Sequence, residues 1–408
     1  MATIVLHAGM PKTGSTSIQR WIVEHATRLR ERHDVLVLVA TSETSRNPSR
    51  EVSLEPYEPG SGVNSGRLIK AWLAADRSPA ISHRFVEELS HFAGSASTVL
   101  VTAEAMSQIF WRVDEPFLSG LEELGREHDV RVAYYVRPQH SALEAGWREG
   151  GYKDLRYTPA QWVVEQSKRG LHYLPTLDAV ARLAPSLDFG IRPFDTELLD
   201  GGNPVEDFIR RFVSLDEVSR DVHVIPGVPL EVVNVLRYAP DGWFWTRSDV
   251  EDYPETYARW RFTELFGGLQ LSESPKIRRS RQILQQHCHQ VFEDGNQQLI
   301  RRLGWPLPEF VPPADDLEDG WRLEELDALW APEASEGERA LMYQVFRAAL
   351  SSNRDEEHAP LEPTANGGSG RGRLGAARDI LGREGVARGS AIIVQRLVRR
   401  LRGARRRP

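Results

Sequence analysis

The segment TIVLHAGMPKTGSTSIQRWI, residues 3–22, reads as a strand, a loop and the start of a helix. Its first part, TIVLH, is a short apolar run rich in β-branched residues, which is typical of a buried strand. Gly9 and Gly14 frame the loop that follows. Apolar side chains then recur at roughly helical spacing, at Ile18, Trp21, Ile22 and Leu29. We therefore expect strand, glycine loop and helix in this order.

Four further apolar runs predict strands that are buried on both faces of a parallel sheet. They are DVLVLVA (34–40), STVLVTAE (97–104), DVRVAYYVR (129–137) and LDFGIRPFD (187–195). Helical patterns follow or separate the later runs, for example over residues 82–94, 115–127 and 204–215. From about Val228 the chain reads as mainly helical. The repeated β-then-α order predicts an α/β fold with a doubly wound parallel sheet, flanking helices and a helical C-terminal portion.

The composition is that of a globular protein, with 408 residues, 40% hydrophobic and 27% charged. Cys288 is the only cysteine, so no disulfide can form within the chain, and a reducing compartment is expected. The first residues, MATIVLHAG, lack the basic and apolar regions of a signal peptide, and no apolar run approaches the length of a membrane span. We therefore expect a cytoplasmic protein.

Charge is distributed unevenly along the chain. Residues 367–408 contain 12 Arg and no Lys against Asp379 and Glu384, a balance of 12 − 2 = +10, so the preceding chain carries −7 − 10 = −17. A polar stretch rich in Gly, Pro and Asn precedes this basic segment. The predicted organisation is one α/β domain over residues 1–350, a flexible linker over 351–370 and an Arg-rich basic tail over 371–408.

The glycine loop has the residues of an anion-binding site. A Walker A loop reads GxxxxGK[ST], and here the two glycines have that spacing, but Lys12 lies two positions before Gly14 instead of directly after it. A glycine turn between a strand and a helix directs backbone N–H groups and the helix N-terminus at an anion. An ordinary turn with a Ser cap on the helix is the alternative.

At this point the chain resembles the sulfotransferases that use 3'-phosphoadenosine 5'-phosphosulfate (PAPS), in particular bacterial carbohydrate sulfotransferases. Their 5'-phosphosulfate loop reads PKTGTT or PKSGTT, against PKTGST at residues 11–16. The resemblance implies a P-loop NTPase-like fold. It implies donor binding by the loop residues Pro11, Lys12, Thr13, Gly14, Ser15, Thr16 and Ser17. Looser similarity continues over roughly residues 3–304, at VTAEAMS (101–107), IRPFDTELLDGGNPVEDFIRRF (191–212) and VFEDGNQQLIRRLG (291–304).

The resemblance also implies a second element that binds the 3'-phosphate of the donor. In the family this is an arginine at the end of a strand and a serine eight residues later. Arg137 follows the run DVRVAYYV, but the residue eight positions on is Ala145, which departs from the pattern. Ser141, one helical turn earlier, is the expected substitute.

Three residues are candidates for the transfer chemistry. Lys12 would stabilise the negative charge that develops on the leaving phosphate. Glu104 is the first candidate for the general base, since it follows the end of a predicted strand, where ligands of open α/β sheets bind. A carboxylate that only positions the loop is the alternative for Glu104. His7, at the end of the first strand, is the second candidate for the base, with a core histidine as the alternative.

No metal site is predicted. An acidic cluster is not evident beside the loop, and sulfuryl transfer requires less charge neutralisation than phosphoryl transfer. His287, Cys288 and His289 are adjacent on a predicted helix, so they point in different directions and do not form a metal site by themselves.

The function expected from these observations is transfer of a sulfuryl group from PAPS to a hydroxyl group of a glycan or glycolipid. A P-loop kinase or NTPase and a non-catalytic anion-binding protein remain alternatives. No specific nucleic-acid partner is expected. If the tail is helical, its apolar and arginine positions form an amphipathic helix that could lie on the anionic inner face of the membrane. A disordered tail and a tail that docks on the acidic part of the same chain are the alternatives.

Overall fold

The computed structural model describes residues 1–10, 13–42, 52–59, 79–103, 106–149, 151, 156–216, 230, 275–305, 310 and 320–330. The chain divides into two compact units. The first comprises Met1–Leu143, Glu165–Val224 and Cys288–Asp316, and the second comprises Glu144–Val164, Ile225–His287 and Leu317–Pro408. The predicted domain boundaries near residues 350 and 370 lie outside the described residues.

A six-stranded sheet forms the centre of the first unit. Its strands are β1 (Thr3–His7), β2 (Val35–Ser42), β3 (Val52–Pro56), β4 (Thr98–Thr102), β5 (Asp129–Val136) and β6 (Asp188–Pro193). They lie in the order β3-β2-β4-β1-β5-β6. The five strands predicted from the apolar runs are confirmed, and they are parallel to one another.

At one edge the sheet departs from the predicted parallel arrangement. Strand β3 pairs antiparallel with β2, with Leu38 opposite Pro56 and Ser42 opposite Val52. The sequence of β3, VSLEP, is short and alternates apolar with polar residues, which suits an edge strand more than a strand buried on both faces. The fold is thus α/β with a mostly parallel sheet.

Ten helices lie within the described residues. They are α1 (Ser15–His33), α2 (Pro79–Ala93), α3 (Ser107–Arg112), α4 (Glu115–Glu127), α5 (Gln139–Glu149), α6 (Pro159–Ser167), α7 (Tyr173–Leu183), α8 (Pro204–Phe208), α9 (Pro275–Leu303) and α10 (Glu325–Trp330). A short 3₁₀ turn, Asp200–Gly202, precedes α8, and a π-helical turn, Ile209–Val213, follows it. The boundaries of the two units fall inside α5, α6 and α9.

Helices α1 and α8 cover one face of the sheet. Alternate strand residues point to this face. The buried cluster there joins Val5, Val35, Val37, Leu100, Ala133 and Tyr135 of the strands to Ile18, Trp21 and Ile22 of α1 and to Val205 and Phe208 of α8. Burial of this apolar surface is the main stabilising contribution on this side of the sheet.

Helices α2 and α4 pack on the opposite face, and α7 packs against α3 and α4. Tyr134 alternates with Tyr135 along β5, so its ring points to this side, where it lies 6.2 Å from the ring of Phe110. Phe117 of α4 in turn contacts Phe110 and, at 5.8 Å between ring centroids, Phe85 of α2. The sheet is therefore covered by helices on both faces, as the alternating order of strands and helices predicted.

In the second unit, tryptophans form the core of the described part. Trp147 packs against Trp162 and Trp330, with ring centroids 5.5 and 5.2 Å apart. The Nε atom of Arg281 lies 2.7 Å from a carboxylate oxygen of Glu144, which joins α9 to α5 within this unit. Among the described residues, no helix is both long and apolar enough to cross a membrane.

Candidate anion-binding site

The loop after β1 lies at the carboxyl edge of the sheet, between two parallel neighbours. The backbone N–H of Ala8 donates to the carbonyl of Ala133 (2.9 Å), and that of Met10 donates to the carbonyl of Tyr135 (3.1 Å). On the other side, Ala103 N–H donates to the carbonyl of His7 (3.0 Å). The start of the loop is therefore fixed to β5 and β4. Pro11 and Lys12 lie outside the described residues.

The loop ends at Gly14, which begins helix α1. Gly14 has φ 77° and ψ 7°, a left-handed conformation that glycine adopts without a steric penalty. As the N-cap it offers no side-chain acceptor, and the first turn of α1 contains no acidic residue. The first intrahelical bond runs from Ile18 N–H to the Gly14 carbonyl (3.1 Å). The N–H groups at the start of α1 carry the partial positive charge of a helix N-terminus, which favours an anion.

The four hydroxyl residues of the loop divide into two pairs. Thr13 Oγ1 donates to the Met10 carbonyl (2.6 Å), and Ser15 Oγ donates to the same oxygen (3.4 Å). Both side chains are buried, so they hold the loop closed on itself. Thr16 is exposed and Ser17 is partly exposed. Of these four residues, Thr16 is accordingly the most accessible to solvent.

Gly14 is also needed because another segment lies directly against it. A Cβ atom on Gly14 would be 2.5 Å from Cγ of Pro204 and 3.0 Å from Cε2 of Phe194. Pro204 is the first residue of α8, and Phe194 directly follows β6. These two rings form a wall beside the loop.

Arg137 follows β5 at the same edge of the sheet. Its Nη2 atom lies 2.5 Å from Ser141 Oγ, one helical turn along in α5. Its guanidinium carbon lies 5.7 Å from the ring centroid of Phe194. The Tyr173 hydroxyl donates to the backbone carbonyl of Arg137 (2.8 Å) and so fixes this turn. Ser141 therefore lies beside the guanidinium group of Arg137, whereas Ala145 is a partly buried residue further along α5.

Phe194 connects the two elements, because it contacts both the glycine loop and Arg137. Its ring is partly buried, and its backbone N–H donates to the Val136 carbonyl (2.6 Å). The sequence prediction assigned no role to Phe194 or Pro204. The sequence did contain one indication for Phe194, because it directly follows a predicted strand. Arg137 was chosen as a candidate on the same ground.

His7 is fully buried below the loop. Its Nδ1 atom lies 2.8 Å from Thr102 Oγ1, and its ring is 5.2 Å from the ring of Phe208. Burial lowers the pKa of His7 from 6.5 to about 3, so the imidazole is neutral at neutral pH. Nε2 has no hydrogen-bond partner among the described residues. A Cβ on Gly9 would lie 2.9 Å from this Nε2, so a glycine at position 9 leaves room for the ring.

Glu104, the first candidate for the base, lies outside the described residues. Its predecessor Ala103 is buried and bonded to His7, as described above.

Cys288 and His289 of α9 lie in different environments. Cys288 is buried, and burial raises the pKa of its thiol, which therefore stays protonated. His289 Nε2 lies 3.1 Å from a carboxylate oxygen of Glu293. In the described part of the chain, no group of three or more His, Cys, Asp or Glu residues could hold a metal ion.

A scan of protein-family models found no match to this chain, and searches of the curated proteins and of the solved structures found no significant match.

Proposed function

We propose that this protein is a PAPS-dependent sulfotransferase that acts on a hydroxyl group of a glycan or glycolipid. The observation that supports this most is the contact of Phe194 with both the glycine loop and Arg137. An anion-binding loop and an arginine at one edge of the sheet suit a ligand with phosphate groups at two positions. A nucleoside triphosphate carries its phosphates in one chain, so it does not require a second phosphate-binding group such as Arg137.

The loop would bind the 5'-phosphosulfate end of the donor. The N–H groups at the start of α1 and the exposed hydroxyl of Thr16 are the described groups that could donate to it. Lys12 supplies the cation in this proposal. The other residues carried over from the family loop, Pro11, Thr13, Gly14, Ser15 and Ser17, shape it or add donors.

Arg137 would bind the 3'-phosphate, because a guanidinium group can donate two parallel hydrogen bonds to a phosphate. Ser141 already contacts Arg137 Nη2, so it orients the guanidinium in the absence of the family serine. In this proposal Ser141 replaces the family serine by orienting Arg137, because Ala145 has no hydroxyl group.

The chemistry is in-line displacement at sulfur, with negative charge developing on the leaving phosphate. Lys12 and the amides of the loop would stabilise that charge. Glu104 remains the first candidate for the base that takes the proton of the acceptor hydroxyl. The neutral ring of His7 is a weak base, so its part in this proposal is to support the loop from below.

The proposal is tested by isothermal titration of the protein with 3'-phosphoadenosine 5'-phosphate and, separately, with ATP and Mg²⁺. Micromolar binding of the first ligand and weak binding of the second are expected. The reverse preference would indicate a P-loop kinase or NTPase instead. Incubation with ³⁵S-labelled PAPS and fractionated cell extract then detects transfer. Binding without transfer to any fraction would indicate a non-catalytic anion-binding protein.

The proposal also covers the basic tail and the expected cytoplasmic location of the protein. A cytoplasmic enzyme with the arginines of residues 371–408 on an anionic membrane surface would be close to a glycolipid acceptor. Co-flotation with anionic vesicles, but not with neutral ones, is expected at low salt and is expected to weaken at high salt. Flotation that ignores lipid charge, or that survives deletion of residues 367–408, would exclude this role of the tail.

A further inference from the structure

Asp207 of α8 is a fully buried carboxylate that accepts hydrogen bonds from four residues. It accepts from the Tyr135 hydroxyl (2.7 Å), from Arg192 Nη2 (2.8 Å), from Arg211 Nε (3.1 Å) and from the backbone N–H of Asp200 (3.1 Å). A buried carboxylate is tolerated when its charge is paired and its oxygens are bonded, and both conditions are met here. The four donors join β5, β6, the 3₁₀ turn and the π-helical turn at one point.

This group is connected to the glycine loop along the backbone of β5. Tyr135 donates its hydroxyl to Asp207, and its backbone carbonyl accepts the N–H of Met10 (3.1 Å). One residue therefore bonds both to the buried carboxylate and to the loop.

Two further connections run through α8 itself. Pro204, three residues before Asp207, is the residue whose ring occupies the space beside Gly14. Phe208, the next residue after Asp207, contacts the ring of His7 below the loop. A displacement of α8 would therefore reach the loop from its side and from below.

Arg192 extends the same network to Phe194. It pairs with Tyr135 in the register of β5 and β6, and its Nη2 atom also donates to the Leu198 carbonyl (2.7 Å). The chain between these two anchored points, residues 192 and 198, contains Phe194. Asp207 thus lies at the centre of the contacts that fix both rings of the wall.

We propose that Asp207 is the positioning residue of the anion-binding loop: its bonds to Tyr135, Arg192 and Arg211 hold Pro204, Phe194 and Met10 where the loop needs them. This inference rests on one part of the proposed function, namely that the glycine loop binds the anion. A preorganised loop binds an anion without the entropic cost of ordering its hydrogen-bond donors. Small displacements of these donors therefore reduce the affinity for the anion.

The test compares two variants of the network with a matched control. Asp207→Asn keeps the shape but removes the charge that pairs with Arg192 and Arg211. Tyr135→Phe removes only the hydroxyl donor and leaves the backbone bond to Met10 in place. The control is Glu122→Gln, in α4. Glu122 is also buried and paired, and it accepts from Ser186 N–H (2.8 Å), Ser186 Oγ (2.8 Å) and Arg126 Nε (3.1 Å).

Two measurements on the full-length protein are made for each variant. Hydrogen exchange followed by mass spectrometry is expected to show faster exchange in the peptide that covers residues 8–18 for Asp207→Asn and, less strongly, for Tyr135→Phe. Titration with 3'-phosphoadenosine 5'-phosphate is expected to show about tenfold or more loss of affinity for Asp207→Asn. Glu122→Gln is expected to change neither quantity, although it removes a comparable buried carboxylate.

The outcomes separate this inference from the proposed function. If the unaltered protein does not bind the nucleotide, the proposed function fails, and the exchange measurement still tests the positioning role. If the protein binds it and both network variants match the control in exchange and affinity, the positioning role is overturned. If Asp207→Asn does not fold, Tyr135→Phe decides by the same two measurements.

Discussion

The ring of Pro204 occupies the space that a side chain on Gly14 would need: a Cβ atom there would be 2.5 Å from Pro204 Cγ. Gly14 also has a positive φ of 77°. The two requirements are independent, since one concerns the backbone of Gly14 and the other its neighbour. Together they restrict position 14 to glycine.

Gly14→Ala is therefore expected to destabilise the protein. A left-handed conformation costs a non-glycine residue about 1–2 kcal/mol. Overpacking against Pro204 adds about 1–3 kcal/mol. Urea unfolding measures the sum as a change in midpoint. Gly94→Ala is the control, because a Cβ there meets nothing within 4 Å. Equal midpoints for the two variants would show that the loop adapts to a side chain at position 14.

Lys12→Ala is expected to lower kcat by about 10²–10³-fold, the usual effect of removing one group that stabilises developing charge. The unfolding midpoint is expected to stay within experimental error. Steady-state kinetics at saturating donor measure the effect. Lys168→Ala serves as the control, since Lys168 is an exposed lysine paired with Glu165 at 2.7 Å. A kcat close to that of the control would exclude the proposed role of Lys12.

Arg137→Ala is expected to weaken donor binding by about 1.5–3 kcal/mol, the range for a hydrogen bond to a charged group. The loss should be much smaller with adenosine 5'-phosphosulfate, which lacks the 3'-phosphate. Ser141→Ala should have a weaker effect in the same direction, because it removes only the group that orients Arg137. Equal losses with both donors would argue that Arg137 does not bind the 3'-phosphate.

Glu104→Gln is expected to reduce kcat by about 10²-fold or more while donor affinity is nearly retained, since a base acts on the acceptor. Single-turnover rates and titration of the donor separate the two quantities. Should the variant turn over normally, deprotonation by another group or by the substrate itself would be indicated.

The buried neutral ring of His7 predicts a specific pH dependence of stability. Its pKa is about 3 in the folded protein against 6.5 as the ordinary value. Below pH 6.5 the unfolded chain binds a proton that the folded protein does not, so the free energy of unfolding decreases as the pH falls towards 3. The slope is about 1.4 kcal/mol per pH unit. Compared with His7→Gln, the unaltered protein should lose about 2–3 kcal/mol more stability between pH 6 and pH 4. Parallel curves in urea unfolding would contradict the neutral buried state of His7.

Much of the sheet could be predicted from the sequence because the relevant signals are local. Each of the five parallel strands is a continuous apolar run, and the helix after the glycine loop repeats apolar residues at helical spacing. The antiparallel strand β3 was missed, since five residues with alternating polarity also occur in loops. Ser141 could be selected from the sequence because it lies one helical turn before the position of the family serine, but its contact with Arg137 Nη2 was not predicted.

The sequence by itself determined the strand, loop and helix around Gly9 and Gly14, since backbone preference and apolar periodicity act over a few residues. Only the tertiary structure decided what surrounds that loop. Pro204 and Phe194 lie far from Gly14 along the chain, and the bond from Tyr135 to Asp207 joins two residues that carry no mutual signal in the sequence. The neutral state of His7 likewise follows from burial, which depends on how the sheet and α8 pack. Contacts between distant segments are selected by the packing of the whole unit, so the residues that shape the site became visible only in the fold.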